Sequence, residues 1–195
     1  MKRSDVAELH YIAPIANVAS IMTHGILSNR RAGRLQHESI AMQEVQGRRV
    51  NKGIPGGMSL HDYVNLYFDA RNPMLSKCRS QNQQICVLRV NIEVLDLEGV
   101  IVADRNAASS YARFYPVEAG IAALDKDLVY ARYWTHQDPY EAMTRKSIKC
   151  AEVLVPERVD PRFITGAYVV NEAGRAAVQA THQALAGVIK RDMFF

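Results

Sequence analysis

The stretch from Ser59 to Met74, SLHDYVNLYFDARNPM, contains the groups needed to hold a planar ring beside a phosphate. Two glycines at 56–57 precede a β-prone core that ends in Tyr67 and Phe68, and Arg71 follows. The rings offer stacking faces, the glycines a mobile backbone and the guanidinium a fixed positive charge. The stretch therefore predicts a strand that arrives at a binding site. An ordinary core strand between two turns is the alternative.

A lone acidic residue lies in an otherwise apolar segment near the end of the chain. Residues 150–156 read CAEVLVP, and the alternation of a strand places Glu152 on one face with Cys150 and Leu154. A carboxylate among apolar neighbours is costly unless it has a partner or a function. Glu152 is therefore a candidate functional residue.

The net charge of +4 comes entirely from the first third of the chain. Residues 1–58 hold eight Lys and Arg against four Asp and Glu, whereas residues 59–195 hold sixteen of each. Six of the basic residues gather in one segment: Arg30, Arg31, Arg34, Arg48, Arg49 and Lys52. Such a cluster suits a nucleic-acid backbone or the pyrophosphate of a dinucleotide, with a solvated helix face as the alternative.

Aromatic and basic residues also alternate in the segment 127–149, DLVYARYWTHQDPYEAMTRKSIK. Stacking rings interleaved with positive charges are typical of proteins that bind single-stranded nucleic acid. A partly buried helical hairpin would have the same composition. The segment 104–116 predicts a loop rich in aromatic and hydrogen-bonding groups, and loops of that length are usually functional.

The remaining segments predict strands and helices around these groups. Strands are expected at 7–12, 84–91, 99–103 and 164–170, and helices at 14–24 and 117–124. Asn171 is expected to cap a terminal helix that runs to residue 190 and packs on the outside. The segment 29–53 is thinly apolar and glycine-bounded, which predicts a flap that orders on a ligand.

Composition limits the class of protein. The chain has 195 residues, 48% of them hydrophobic, and no linker rich in proline, glycine or serine, which predicts one domain. No segment has the apolar length of a membrane span, and MKRSDVAELH lacks the apolar middle of a secretory signal, so we expect a cytoplasmic protein without membrane contact. Cys78, Cys86 and Cys150 show neither CxxC spacing nor a nearby histidine pair. We expect core thiols, with no disulfide and no bound metal.

Together these motifs resemble the DarT family of DNA ADP-ribosyltransferase toxins. The resemblance covers roughly residues 8–170 and rests on HYIAPIANVASIMTHGILS, SIAMQEVQGRR, LHDYVNLYFDARNPM and KCAEVLVP. It implies an α+β fold of the ADP-ribosyltransferase type, with a split mixed β core and flanking helices in a single domain. It also implies NAD as co-substrate and a guanine or thymine in single-stranded DNA as acceptor. A macrodomain antitoxin that removes the ADP-ribose is the implied partner of a protein that we expect to be a monomer.

The resemblance assigns roles to individual residues. The catalytic acid corresponds to Glu152 and the essential arginine to Arg49 or Arg48, of which we favour Arg49. The residues expected at the NAD are His10, Asn17, Ser28, Arg49, Tyr67 and Phe68. The residues expected at the DNA are Trp134, His136, Lys149, Arg71 and Met74, the first three within the acceptor-recognition segment 127–150.

The implied chemistry suits these residue types. Breaking the bond between nicotinamide and ribose builds positive charge on the sugar, which a carboxylate stabilises, and the same carboxylate can act as general base towards the acceptor. The chain departs from the family pattern at Asn65, Leu66 and Asn72, which leaves the identity of the base open. Other possibilities are an ADP-ribosyltransferase for RNA or protein, an RNA 2′-phosphotransferase, or a non-catalytic single-strand-binding module.

Overall fold

The fold is organised by one eight-stranded sheet and a separate two-stranded ribbon. The computed structural model describes residues 1–195. The strands are β1 (Leu9–Pro14), β2 (Ile26–Leu27), β3 (Tyr63–Tyr67), β4 (Ile85–Val90), β5 (Ile101–Ala103), β6 (Phe114–Pro116), β7 (Glu152–Pro156), β8 (Arg158–Val159), β9 (Ile164–Val169) and β10 (Gly187–Ile189). The helices are α1 (Val18–His24), α2 (Asn29–Ala32), α3 (Gln43–Val50), α4 (Pro73–Lys77), α5 (Val117–Ala123), α6 (Lys126–Val129), α7 (Pro139–Ile148) and α8 (Glu172–Thr181).

The sheet is mixed, as the family resemblance implies. Its order is β10-β9-β4-β1-β3-β7-β5-β6, and every neighbouring pair is antiparallel except β10 with β9. The strands β2 and β8 pair antiparallel as the ribbon. The α+β class with a split mixed β core is therefore confirmed.

The split lies between β1 and β3, at the centre of the sheet. The strand β1 pairs with β4 along six residues and β3 pairs with β7 along five, but β1 and β3 are joined only at His10 and Tyr67. Beyond that pair the two strands diverge. The divergence opens the sheet at its middle. A cleft can form there without breaking the β1–β4 ladder on one side or the β3–β7 ladder on the other.

The two faces of β3 and β7 have different environments. Val64, Leu66, Phe68 and the valines of β7 belong to the largest hydrophobic cluster, which contains 30 buried residues. The opposite face carries Tyr67 and Glu152, which are directly paired across the two strands. The predicted orientation of Glu152 is thus confirmed, and it shares a face with the aromatic end of β3.

Side-chain caps begin α4, which the sequence does not predict, and α8, where the predicted cap at Asn171 is confirmed. The Oδ1 atom of Asn72 accepts hydrogen bonds from the backbone N–H groups of Met74 at 2.9 Å and Leu75 at 3.2 Å, and Pro73 occupies the first turn of α4. Asn171 caps α8 by accepting from Gly174 N–H at 3.0 Å. These caps satisfy backbone donors that have no partner inside the helix.

The helix predicted from residue 171 to 190 is wrong in its second half. The helix α8 ends at Thr181, and residues 187–189 form β10, which extends the sheet parallel to β9. Gly187 lies where an added Cβ would approach Arg175 Cγ to 3.1 Å, so this glycine permits close contact between strand and helix. The β-branched pair Val188 and Ile189 then favours a strand. The sequence also does not predict β6 and β8, because two or three residues carry too little periodicity, whereas the extended course expected at Ile26 and Leu27 is confirmed as β2.

The three cysteines are free and buried, which confirms the prediction of core thiols. None of the helices combines the length and apolar character that crossing a bilayer requires.

Replacing Gly25 by alanine should destabilise the fold. Gly25 has φ of 86°, and a Cβ there would lie 2.4 Å from the carbonyl oxygen of Val159 in the β2–β8 ribbon. We expect a loss of about 1–3 kcal/mol in the free energy of unfolding, measured by urea denaturation. Gly47→Ala is the control, because an added Cβ meets nothing within 4 Å inside α3 and alanine favours the helix. Equal stability of Gly25→Ala and wild type would contradict the expectation.

Candidate active site

A cavity of about 860 Å³ opens where β1 and β3 diverge. It is lined by residues 11–14 of β1, by four residues of β3, by the 29–53 segment, by the 105–111 loop and by the outer face of α7. Its volume lies in the range of pockets that hold cofactor-sized ligands. The cavity therefore occupies the space that the split in the sheet opens.

Glu152 lies beneath the floor of this cavity with no exposed surface. Its Oε2 atom accepts a hydrogen bond from Arg49 Nη1 at 3.0 Å, and its Oε1 atom lies 3.3 Å from the same nitrogen. The backbone N–H of Ala107 donates to Oε1 at 3.0 Å. The carboxylate thus has a partner on two sides, which is the condition for keeping a charge buried.

Arg49 connects Glu152 to the cavity. Its side chain is buried and lines the cavity, and its Nη2 atom is buried without a hydrogen-bond partner. An unpaired buried donor is unfavourable, so a ligand acceptor at this point would remove the penalty. Arg48 differs, because its side chain is 56% exposed and pairs with Glu44 at 3.2 Å. The geometry favours Arg49 as the essential arginine, although Arg48 also lines the cavity.

Tyr67 lies next to Glu152 on the cavity floor. Burial, and then the negative charge of Glu152, raise the pKa of the Tyr67 phenol well above its usual value. The hydroxyl therefore stays protonated and can donate a hydrogen bond. Phe68 was also expected at the NAD, but strand alternation turns it to the opposite face, where it packs in the main core. That assignment is corrected.

His10 belongs to a polar cluster beside the cavity rather than to its lining. Its Nε2 atom lies 3.2 Å from Glu8 Oε1, while Tyr168 Oη donates to the same oxygen at 2.7 Å and Arg89 Nε to Oε2 at 2.7 Å. Because a carboxylate only accepts, Nε2 carries the proton, and Nδ1 is left buried and unpaired. Burial acts to raise the pKa of Glu8, but the hydrogen bonds from His10, Tyr168 and Arg89 outweigh it and lower the pKa to about 2.

The predicted flap contains α2 and α3 with residues 33–42 outside helices and strands. Asn17, which immediately precedes α1, holds the flap by donating through Nδ2 to Glu38 O at 2.8 Å and accepting from Glu38 N–H at 3.0 Å. Lys52 holds its other end by donating to Ser109 O. Asn17 lines the cavity, whereas Ser28 is buried immediately beside it. The weak helical periodicity of residues 39–46 predicts a helix there, and α3 begins later, at Gln43.

The residues expected at the DNA are dispersed. Met74 lines the cavity. Lys149 is buried, with its ammonium bound to Asp69 and to Val129 O at 2.8 Å, so it cannot reach a DNA phosphate and that assignment is corrected. Arg71 binds the backbone of residues 192–194, and Trp134 contacts the ring of Phe195. His136 is exposed but does not line the cavity.

Several cavity residues were not assigned from the sequence. Tyr111 and Tyr140 line the mouth with 78% and 82% exposure, and Met143 and Lys146 lie on α7 beside them. All four belong to segments that the aromatic and basic composition marked as functional. The hydrogen bond from the Ala107 N–H group to Glu152 could not be predicted from the sequence, because every residue except proline has a backbone N–H group. No group of three or more His, Cys, Asp or Glu side chains is arranged to hold a metal ion.

Comparison with known proteins gives a consistent assignment. A family model described as "DarT: ssDNA thymidine ADP-ribosyltransferase" matches residues 10–195. A DNA ADP-ribosyl transferase–DNA ADP-ribosyl glycohydrolase fusion protein of Thermosipho africanus is 32% identical over 83% of the chain, which spans only 42% of that protein. A DNA ADP-ribosyl transferase of a Thermus species is 31% identical over 80% of the chain and 78% of the relative.

Solved structures agree over the whole chain. The Thermus sp. 2.9 DarT in complex with ADP-ribosylated single-stranded DNA matches with a TM-score of 0.86 at 25% identity, covering 100% of this chain and 99% of that one. The same protein in complex with NAD⁺ matches with a TM-score of 0.79 at 25% identity, covering 97% and 98%.

The Glu8 cluster should make stability depend on acid pH. The folded pKa of Glu8 is about 2 and its ordinary value is 4.5, so its stabilisation is complete above the ordinary value and is lost as the pH falls towards 2. Glu8→Gln should therefore be less stable than wild type at neutral pH, and the difference should shrink from about pH 4.5 downwards in urea titrations. Glu172→Gln, at an exposed ion pair with Arg175, is the control. A pH-independent difference for Glu8→Gln would contradict the assignment.

Proposed function

The chain belongs to the DarT family of single-stranded-DNA ADP-ribosyltransferases, and on that basis we propose that it transfers ADP-ribose from NAD⁺ to a base in single-stranded DNA. The observation that carries the proposal is the buried Arg49–Glu152 pair under a cavity of about 860 Å³. A binding module would need positive charge and stacking surfaces, but it would have no use for a carboxylate without exposed surface at the cavity floor.

Glu152 supplies the negative charge that the reaction needs. Cleavage of the bond between nicotinamide and ribose leaves positive charge on the sugar, and a fixed carboxylate in a site with little water stabilises that charge. The N–H of Ala107 and the guanidinium of Arg49 hold the carboxylate in one orientation. Because the group is already oriented, little reorganisation accompanies the reaction.

Arg49 is placed to contact the reactants from the same position. Its Nη1 atom holds Glu152, which leaves the unpaired Nη2 atom for a phosphate oxygen or a base edge. Tyr67 and Asn17 lie on the cavity lining, and His10 lies one strand from Tyr67 with its Nδ1 atom unpaired. Where β1 and β3 diverge, their facing edges are not joined to each other, which suits hydrogen bonding to a flat amide. These features fit NAD⁺.

The acceptor is a base that pairing does not hide. The edge nitrogens of a base are engaged in duplex DNA, so an enzyme that modifies them acts on a single strand or extrudes the nucleotide. The exposed rings of Tyr111 and Tyr140 offer stacking surfaces at the cavity mouth, and Lys146 adds positive charge there. Such a combination binds single strands with little dependence on sequence.

Thymine is the base that we propose as acceptor, since the family description names thymidine. Mass spectrometry of digested oligonucleotides after incubation with NAD⁺ tests this choice. Strands that contain thymine should gain one ADP-ribose, whereas strands with guanine as the only candidate base should not. Modification of guanine alone would leave the transferase activity standing and overturn the choice of base. Labelling of RNA or protein in preference to DNA would overturn the DNA acceptor.

The fused relative suggests a biological setting. Its name joins a DNA ADP-ribosyl transferase to a DNA ADP-ribosyl glycohydrolase, the activity that removes the modification. A glycohydrolase antitoxin is therefore the partner that we propose for this chain, which would act as a monomeric toxin in the cytoplasm, where DNA and NAD⁺ are both present. Co-expression with such a glycohydrolase should relieve growth arrest.

Glu152→Gln should abolish transfer while NAD⁺ still binds. The glutamine keeps the size of the side chain but removes its charge, so we expect the rate to fall about 10³-fold. Calorimetry measures NAD⁺ binding, and mass spectrometry measures transfer. Because the variant leaves Arg49 facing a neutral partner, thermal melting must first establish that it is folded. Full modification of DNA by the variant would remove Glu152 from the mechanism.

The two adjacent arginines provide a matched comparison. Arg49→Lys should lose most of the transfer activity, because an ammonium cannot hold Glu152 and present a second donor in the same geometry. Arg48→Lys should retain transfer, since its exposed guanidinium pairs only with Glu44. The same oligonucleotide assay checks both variants, and the reverse order of activities would make Arg48 the essential residue.

A further inference from the structure

The turn that follows β3, residues 69–72, contacts the C-terminal end of α7 directly and the loop before α7 through Phe195. The carboxylate of Asp69 binds the ammonium of Lys149, which caps the C-terminal end of α7 and is itself buried. The one basic residue of the turn, Arg71, contacts the backbone of residues 192–194. Its Nη1 atom lies within hydrogen-bond distance of the carbonyl oxygens of Asp192 at 3.0 Å, Met193 at 3.3 Å and Phe194 at 2.6 Å.

The Phe195 ring extends this contact to the loop before α7. The guanidinium of Arg71 lies 4.2 Å from the centre of the ring, and the ring of Trp134 meets it edge to face at 5.8 Å. The side chain of Asn82 donates to the carbonyl oxygen of Phe195 at 2.6 Å. Phe195 is thus fixed from two sides before it contacts Trp134, so it can act as a rigid support.

The loop that contains Trp134 has little other packing. In residues 130–138 only Tyr130, Ala131 and Trp134 are partly covered, and the rest are exposed. Tyr130 packs at the start of the loop against the main core. At its end, Asp138 caps α7 by accepting from Tyr140 N–H at 2.8 Å. The contact between Trp134 and Phe195 is therefore the aromatic support in the middle of the loop.

The position of α7 matters because the helix forms one wall of the cavity mouth. Tyr140, Met143 and Lys146 all line the cavity, and none of the ten residues of α7 is buried. The only core packing of α7 is that of Ile148 at its C-terminal end, which lies partly buried against the main cluster. Contacts at its ends therefore decide where its outward side chains lie.

We propose that the turn 69–72 sets both ends of α7, through Lys149 at one end and through Phe195 and Trp134 at the other. Arg71 and Phe195 are then positioning residues for the acceptor strand, although neither lines the cavity. This inference rests on the proposed function, because it assigns the α7 wall to the DNA. It also explains why two residues with the side chains of a DNA contact, Arg71 and Trp134, converge on Phe195 instead.

Phe195→Ala tests the proposal with steady-state kinetics. Loss of the ring should raise the KM for a thymine-containing oligonucleotide roughly tenfold, the scale of one aromatic contact with its supporting packing, while the KM for NAD⁺ stays within about twofold. Phe195→Tyr keeps the ring and should restore the wild-type KM. Arg162→Ala is the control, because it removes a similar contact, 4.8 Å from guanidinium to ring, over Phe163 on a distant turn.

Amide hydrogen exchange tests the same contact without any substrate. Residues 130–138 should exchange faster in Phe195→Ala than in wild type, while the exchange of β3 and β7 stays unchanged. Arg71→Gln should have the same effect, and the double variant should be no worse than either single variant, because both changes break one chain of contacts.

The outcomes separate the inference from the proposed function. A folded Phe195→Ala variant with wild-type oligonucleotide KM and wild-type exchange in 130–138 would overturn the inference. Equal rises in the KM for DNA and for NAD⁺ would also overturn it, since they would indicate general loosening of the fold. If wild type modifies no oligonucleotide, the proposed function fails, while the exchange comparison still decides whether Phe195 supports the loop.

Discussion

The buried pair of Arg49 and Glu152 is the interaction on which the rest of the site depends. An unpaired carboxylate at that depth would be strongly destabilising, and so would an unpaired guanidinium. The pair satisfies the carboxylate together with one backbone N–H group, but it leaves one nitrogen of the guanidinium without a partner. The fold therefore tolerates the charges and leaves an unpaired donor on a side chain that lines the cavity. Arg49 and Glu152 therefore stabilise each other in the interior and are also the charged groups on which the proposed reaction depends.

The buried pair can lie next to a cavity because the two central strands, β1 and β3, are joined at only one residue pair. A continuous sheet would cover Glu152 with neighbouring strands and side chains and leave no space beside it. Because β1 and β3 separate after a single pair, each strand keeps its full ladder on the outer side while the inner edges face a cavity. The row His10, Tyr67, Glu152 crosses the sheet at the point where the separation begins. Regular strands hold all three side chains, of which Tyr67 lines the cavity, His10 lies beside it and Glu152 lies beneath it.

The sequence predicts the strands and the placement of Glu152 and Tyr67 better than it predicts the residues expected at the DNA. Strand alternation alone places Glu152 on the correct face, because the period of two leaves no other choice once the strand is recognised. The same rule shows that Tyr67 and Phe68 cannot both face the cavity.

Lys149 shows what the sequence does not predict. A lysine in a basic and aromatic segment has the same sequence signature whether it meets solvent or pairs with Asp69 in the interior. Its partner is 80 residues away, and pairing over such a distance is fixed by tertiary packing. The prediction of the terminal helix fails for a local reason, because an alanine-rich run continues past Thr181, where α8 ends, towards the strand that begins at Gly187.

The distance along the chain between the two charged partners has a consequence for synthesis. Arg49 and Glu152 are separated by 103 residues, and the strand β7 that carries Glu152 must insert between β3 and β5, both of which precede it. A nascent chain on the ribosome therefore cannot assemble the pair until β7 has been translated. Contacts this remote in sequence also form late and slowly in folding. An enzyme that attacks DNA would thus gain a delay between translation and activity, during which a neutralising partner could already be present.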